Sequence, residues 1–157
     1  MTRSERAIEY FMQGANCAQA VTAAFADLIG VDERAAFRMS APFGGGLARQ
    51  REVCGAVTGM CLVAGFLYGY DDLADDAEKK AHYQMIRSLC DEFRNANEGH
   101  IVCRDLLGIK RGGSDTSPVP SPRTEEYYRI RPCARQVGVA ARILETYVNS
   151  HPVTKKQ

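Results

Sequence analysis

Six cysteines are the residues of this chain best suited to chemistry, and four of them fall at or near predicted helix starts. At a helix start the unpaired backbone N–H groups and the helix dipole favour negative charge, so a thiolate forms more easily there. Thiolates are redox nucleophiles and are also ligands for soft metals. The pattern therefore indicates sulfur chemistry, with thiol–disulfide exchange and metal ligation both open. The four residues are Cys17, Cys54, Cys103 and Cys133.

The spacing of these four cysteines excludes the common paired-cysteine motifs. They are separated by 37, 49 and 30 residues, so none forms the C-x-x-C pair of thioredoxin-like sites, zinc ribbons or haem attachment. A shared centre requires the fold to gather four distant segments, and a helical bundle can do this at one end. We therefore expect the four sulfurs to converge. The other two, Cys61 and Cys90, lie on predicted apolar helix faces, and we expect them in the core.

The stretch FGGGLARQREVCGAVTGMCLVAG, residues 43–65, joins a glycine turn to the longest uncharged run of the chain. This run, residues 53–70, predicts a buried central helix whose four glycines fall within an arc of about 120°. Such a face predicts a groove where a neighbouring helix comes close. Eighteen residues are at the lower limit for a membrane span, but the run is glycine-rich and flanked by charges, so a buried helix is favoured. In the turn, the candidates for cofactor binding are Gly44, Gly45 and Gly46.

The rest of the chain predicts an all-α fold, a compact helical bundle around the glycine-rich helix. Capping-box spacing at Thr2–Glu5 and Asn16–Gln19 marks the first two helix starts. Pro132 suits the first position of the last helix, directly before Cys133. No alternating strand pattern competes with this interpretation.

The domain organisation is expected to be simple. Length and the absence of a linker predict one domain over residues 1–150. Prolines and glycines in residues 111–124 predict a mobile loop, and residues 151–157 predict a frayed tail.

Composition limits the remaining function classes. The 20 basic and 19 acidic residues nearly cancel, and no basic cluster occurs, which argues against binding to nucleic acid. The N-terminal segment MTRSERAIEYFMQG lacks the apolar region of a secretory signal, so a cytoplasmic location is expected. Permanent disulfides are rare in a reducing cytosol, which adds weight to metal binding or redox work by the cysteines.

Several segments resemble the C-GCAxxG-C-C family, small proteins that are described as redox-active and are named for their cysteine pattern. The resemblance implies that the four cysteines at the predicted helix starts are the functional residues. A similar domain in a multi-haem cytochrome accompanies an iron–sulfur centre. One departure is that ARQREV lacks a glycine that family members often carry, and we expect its Arg49 and Arg51 to favour the Cys54 thiolate. The matching segments are NCAQAV at 16–21, FGGGL at 43–47, CGAVTG at 54–59, VCRDLLG at 102–108 and RPCA at 131–134.

Three hypotheses follow for the function. In the first, the four cysteines form a thiol–disulfide redox centre, and the protein is a thiol-based oxidoreductase whose redox partner is unknown. In the second, the same four cysteines ligate an iron–sulfur cluster or another soft metal in an electron-transfer protein. In the third, the protein is a non-catalytic helical binding module. The glycine ridges suit packing within one chain or against a second copy, so a homo-oligomer stays open.

Overall fold

The computed structural model describes residues 1–108 and 115–154, and there it is all-α, which confirms the fold class expected from the sequence. Within these residues the β-structure is limited to one isolated antiparallel bridge between Val53 and Val102. A 3₁₀ turn (Ala41–Phe43) precedes the glycine turn. The α-helices in the described ranges are α1 (Arg3–Met12), α2 (Cys17–Ala24), α3 (Glu33–Ser40), α4 (Gly55–Tyr68), α5 (Asp76–Asn95), α6 (Cys103–Leu107), α7 (Glu125–Ile130) and α8 (Cys133–Ser150).

Side-chain caps explain where most of these helices begin. Thr2 and Asn16 form the predicted capping boxes, with Glu5 and Gln19 as their reciprocal partners. Aspartates cap α3 and α5, and a threonine caps α7, each by accepting a hydrogen bond from a backbone N–H three residues further on. By contrast, α4, α6 and α8 have no side-chain cap. Their first N–H groups are therefore not satisfied by a neighbouring oxygen side chain.

Two glycines of α4 let this helix lie directly against α2. A Cβ on Gly59 would lie 2.8 Å from the carbonyl oxygen of Ala18 and 3.1 Å from its Cα, so no side chain fits there. A Cβ on Gly55 would lie 3.1 Å from the Ala18 backbone nitrogen. Since α4 also packs against α5 and α8, the glycine-rich helix lies inside the bundle as expected.

The predicted groove does not extend along the whole glycine face. A Cβ on Gly65 would meet nothing within 4 Å, and Gly69 lies beyond the last turn of α4 as its C-cap. The expectation of a four-glycine groove is therefore wrong for the second half of the helix.

No helix in the described ranges has the length and apolarity that a membrane crossing needs.

The loop and tail predictions fall partly outside the described residues. Residues 111–114 of the predicted loop and residues 155–157 of the predicted tail are not among them. Residues 115–124 have no regular secondary structure and lead into α7, a helix that the sequence did not predict. The single-domain bounds and the mobility of the loop stay predictions.

Gly59→Ala should lower the free energy of unfolding by about 1–3 kcal/mol, because the new Cβ overlaps the α2 backbone. Gly65→Ala is the matched control on the same helix. Its Cβ meets open space, and the better helix propensity of alanine should raise stability by up to about 1 kcal/mol. Urea unfolding of both variants beside the parent measures the two effects. Equal stability of the two variants would contradict the close contact between α2 and α4.

Candidate functional site

The four cysteines at the predicted helix starts line one cavity of about 310 Å³. Cys17, Cys103 and Cys133 are the first residues of α2, α6 and α8. Cys54 directly precedes α4. The fold thus brings together four segments that are distant in sequence, as a shared centre requires. That these four residues are catalytic stays a prediction.

The isolated β-bridge fixes the backbone of both Cys54 and Cys103. The backbone N–H of Cys54 donates to the carbonyl oxygen of Ile101 at 2.8 Å. In return, the backbone N–H of Cys103 donates to the carbonyl oxygen of Glu52 at 2.6 Å. Because α4 and α6 begin immediately after the bridge, these two hydrogen bonds fix both cysteines at the cavity wall.

Glycines permit the close approach of the segments that carry Cys17 and Cys103. A Cβ on Gly55 would lie 3.2 Å from the Cβ of Cys17, and a Cβ on Gly46 would lie 2.8 Å from the Cβ of Cys103. Gly44 is covered by the side chain that caps α2. Gly46 in the turn and Gly55 in α4 therefore have a packing role, because a side chain at either position would push against a cavity cysteine. The three turn glycines, Gly44, Gly45 and Gly46, also line the cavity. That they bind a cofactor stays a prediction.

The segment between the glycine turn and Cys54 has a left-handed backbone. Residues 45–49 have φ values between 49° and 68°, and Arg51 has a φ of 62°. For residues other than glycine this conformation costs roughly 1–2 kcal/mol each, and it persists only where surrounding contacts fix it. Backbone hydrogen bonds from Arg49 to Gly44 (3.2 Å) and from Arg51 to Gly45 (3.1 Å) hold the turn. The turn brings both arginines to the cavity wall.

Asp115 holds three arginines at this wall. Its carboxylate pairs with Arg49 at 2.8 Å and with Arg51 at 3.2 Å. The same carboxylate pairs with Arg131 at 3.0 Å. Arg51 is the most buried of the three, with 4% of its side chain exposed, and its Nη1 lies 3.7 Å from the sulfur of Cys103. One carboxylate against three guanidinium groups leaves this wall positively charged.

A fourth arginine, Arg123, lines the cavity beside α1. Its two Nη groups donate to the carbonyl oxygens of Phe11 and Ala15, each at 3.0 Å. Its guanidinium carbon lies 4.4 Å from the ring centroid of Phe11 and 4.9 Å from that of Tyr127. These partners hold Arg123 in place without a carboxylate from the described part of the chain, so its positive charge adds to that of the Asp115 cluster.

The thiols of Cys17 and Cys133 are neighbours in the cavity, and each shifts the pKa of the other. A hydrogen bond from Cys17 lowers the pKa of Cys133 to about 7, and Arg131, Arg123 and Arg51 act in the same direction. This hydrogen bond, together with burial, raises the pKa of Cys17. Cys133 is therefore the more acidic thiol of the pair.

Cys54 does not carry the acidic thiol that its place at a helix start predicts. Burial deprives its thiolate of water and raises the pKa of Cys54 to about 12, although N–H groups of the first turn oppose this. Arg51, expected beside Cys54, instead contacts Cys103. The pKa of Cys103 is still raised, because burial outweighs the arginine. The prediction was wrong because it left out the desolvation of a buried thiol.

Cys61 and Cys90 form a second thiol pair, between α4 and α5 and away from the cavity. Both are partly exposed, and both pack against the core from its edge. A hydrogen bond from Cys61 lowers the pKa of Cys90 to about 7. The expectation of two inert core cysteines is therefore only half right, since they contact the core but Cys90 has an acidic thiol.

The cysteines do not form a ready-made metal site. Within residues 1–108 and 115–154, no three or more Cys, His, Asp or Glu side chains are grouped so that they could hold one metal ion. Structural zinc and iron–sulfur clusters usually take four such ligands. Whether the four cavity cysteines act as exchanging thiols or as ligands stays a prediction.

Sequence reasoning missed the charged and polar residues around the cysteines. Arg131 lies two residues before Cys133, and this proximity to a helix start was the available signal. Asp115 gave no signal, because its partners Arg49 and Arg51 are more than sixty residues away in the chain. The residues missed are Asp115, Arg123, Arg131 and Gln136, of which the three last line the cavity.

Residues 15–147 match the model of a protein family described as "Putative redox-active protein (C_GCAxxG_C_C)". The chain belongs to the C-GCAxxG-C-C family. The match includes all four cavity cysteines, and the family's redox description agrees with thiol chemistry at this cavity. No significant match to this member of the family was found among curated proteins or among solved structures.

In this C-GCAxxG-C-C protein, Ala48→Gly should leave stability unchanged or raise it by up to about 1 kcal/mol. The substitution removes a Cβ from left-handed backbone, and the larger unfolded-state entropy of glycine offsets part of that gain. Ala81→Gly, at an exposed position of the right-handed helix α5, is the control and should lower stability by about 1 kcal/mol. Chemical denaturation measures both changes. Equal losses of stability in Ala48→Gly and Ala81→Gly would contradict the left-handed backbone at Ala48.

Alkylation of Cys133 by iodoacetamide should rise with pH around a midpoint near 7, because only the thiolate reacts. Cys17→Ala removes the hydrogen-bond donor and should move this midpoint up by about one pH unit, towards the ordinary cysteine value. Cys17→Ser keeps a donor and should keep the midpoint. Mass spectrometry of the Cys133 peptide follows the rate. The same midpoint in Cys17→Ala and Cys17→Ser would show that the hydrogen bond does not set the pKa.

Proposed function

We propose that the protein is a thiol–disulfide oxidoreductase whose redox pair is Cys17 and Cys133. The observation that carries the proposal is that these two thiols line one cavity and interact closely enough for each to shift the pKa of the other, with that of Cys133 lowered to about 7. Disulfide exchange needs one accessible thiolate and one nearby thiol, and this pair supplies both. Membership of a family described as redox-active supports the same class of chemistry.

The reaction begins with attack of the Cys133 thiolate on a disulfide R–S–S–R′ in the cavity. The S–S bond breaks, R′–S⁻ leaves, and a mixed disulfide joins Cys133 to R–S. Cys17 then loses its proton and attacks the Cys133 sulfur, so that R–S⁻ leaves and a Cys17–Cys133 disulfide forms. Two electrons pass from the protein to the substrate. The leaving thiolates take up two protons, one from Cys17 and one from solvent.

The arginines lower the energy of the charged species in these steps. Arg131, Arg123 and Arg51 stabilise the Cys133 thiolate. The same positive charge stabilises each thiolate as it leaves, because the leaving sulfur gains its negative charge inside the cavity. The N-terminal dipoles of α2 and α8, which begin at the two reacting cysteines, act in the same direction.

Cys54 and Cys103 serve in this proposal as an inner pair that reacts after the first exchange. Burial raises the pKa of both thiols, so they stay protonated while Cys133 is ionised. Both also interact electrostatically with Cys133. Exchange can move the disulfide from Cys17 and Cys133 to Cys54 and Cys103, which returns the outer pair to thiols without a change in total oxidation state.

The Cys61→Ser/Cys90→Ser variant tests the proposal, because it removes the second thiol pair and leaves the cavity intact. After reduction it should convert 2-hydroxyethyl disulfide to thiol at the rate of the parent protein. Cys133→Ser in this background should slow the reaction at least about 100-fold by removing the nucleophile. Cys17→Ser should accumulate the mixed disulfide, because the first resolving thiol is gone and only the less acidic Cys54 and Cys103 are left to displace it.

Peptide mapping of the oxidised variant identifies the product. The expected product is a disulfide between two of the four cavity cysteines, with Cys17–Cys133 formed first. An unreactive protein, or four cavity thiols that stay reduced with excess disulfide, would overturn the proposal. Iron and sulfide bound to anaerobically purified protein, and lost in Cys133→Ser, would favour the cluster hypothesis instead.

A further inference from the structure

The wall of the cavity carries an excess of positive charge. Four arginines line the cavity, and no aspartate or glutamate is among the lining residues in the described ranges. The nearest negative group is Asp115, whose single carboxylate is shared by three of these arginines. A Cys133 thiolate neutralises one further charge. Charge balance therefore leaves room for an anionic ligand beside the reacting sulfur.

Arg131 has hydrogen-bond donors that the described residues do not use. Its Nη2 donates to Asp115 at 3.0 Å and to Ser121 at 3.3 Å. Its Nη1 and Nε have no hydrogen-bond partner among the described residues. Its guanidinium lies over the ring of Tyr127 at 4.8 Å, which orients the plane without using these donors. Free N–H groups of a fixed guanidinium fit a carboxylate oxygen.

Gln136 adds an unpartnered acceptor to the same cavity. It lies one turn into α8, three residues after Cys133, and it is 4% exposed. Its Oε1 is buried and has no hydrogen-bond partner among the described residues. A buried acceptor without a partner costs free energy, so the site is suited to a ligand that brings an N–H group.

The cavity volume limits the size of the ligand. At about 310 Å³ it is at the lower end of the range of small-molecule sites. A cavity of this volume suits a small disulfide.

We infer that this cavity binds small amino-acid or peptide disulfides, with a carboxylate of the ligand at Arg131 and an N–H group at Gln136. The inference rests on the proposed function for its reacting disulfide, while the anion subsite stands on the arginines alone. The disulfide is the oxidant: it accepts two electrons from Cys17 and Cys133, and it leaves as two thiols.

The anion subsite is tested first by alkylation, which requires no disulfide chemistry. Iodoacetate is an anion, whereas iodoacetamide is neutral. The rate with iodoacetate divided by the rate with iodoacetamide should be at least about 10-fold higher at Cys133 than at Cys90. Cys90 is the internal control, because its pKa is also lowered and the ratio of the two rates at one thiol does not depend on its thiolate fraction. The preference of Cys133 for iodoacetate should become smaller at high salt and in Arg131→Gln, because both weaken the attraction of the anion. It should persist in Arg131→Lys, which keeps the positive charge. Equal ratios at the two cysteines, or a Cys133 that neither reagent reaches, would overturn the subsite.

The substrate class is tested with three disulfides of different charge. Rates of reduced protein with oxidised glutathione, 2-hydroxyethyl disulfide and cystamine are each divided by the rate of a free model thiol. The relative rate should be highest with the anionic glutathione disulfide, intermediate with the neutral hydroxyethyl disulfide and lowest with the cationic cystamine. The highest and lowest relative rates should differ at least about 10-fold. In Gln136→Met the ratio of the glutathione rate to the hydroxyethyl disulfide rate should fall at least about threefold. Equal relative rates with the three disulfides would overturn the inferred substrate class. If the protein reacts with none of them, the proposed function is overturned, and the alkylation ratio alone then tests the anion subsite.

Discussion

The packing of α4 onto α2 without an intervening side chain is the constraint on which the rest of the molecule depends. Gly59 touches the backbone of Ala18, and Gly55 touches the first turn of α2. With the two helices at this distance, Cys17 lies against the start of α4, and the cavity is narrow enough for its thiols to interact. Larger residues at either glycine would separate the helices and, with them, the sulfurs. The contact thus couples core packing directly to sulfur chemistry.

Burial and positive charge act in opposite directions on the cavity thiols, and their balance differs from one cysteine to the next. At Cys54 desolvation dominates, whereas at Cys133 a hydrogen bond and three arginines outweigh it. The result is a set of similar residues with unequal acidities in one small volume. In the proposed mechanism, unequal acidities give the exchange steps a direction, because the first attack comes from the most acidic thiol and the later steps use protonated neighbours.

Local patterns in the sequence were sufficient to predict the helices and the cysteine set, but they did not predict the charged wall. The cap at Asn16 and the helix start at Cys54 depend on neighbours within a few residues, so spacing alone reveals them. The contacts of Asp115 join distant segments, and no periodicity encodes them. The positive φ of Ala48 contradicts its own backbone preference and is imposed by surrounding contacts. Acidity likewise depends on burial, which is a property of the whole fold.

Cys17 and Cys133 each begin a helix near one end of the chain, and this position gives their bond a mechanical meaning. In the reduced protein, a force applied to the two termini is carried by every helix in turn. Once the two sulfurs are joined, the force passes from the start of α2 to the start of α8 through the S–S bond. The segments between them then bear no load, and only α1 and α8 can be drawn out. In the proposed redox cycle, the state of one small cavity therefore sets how far the molecule can be stretched.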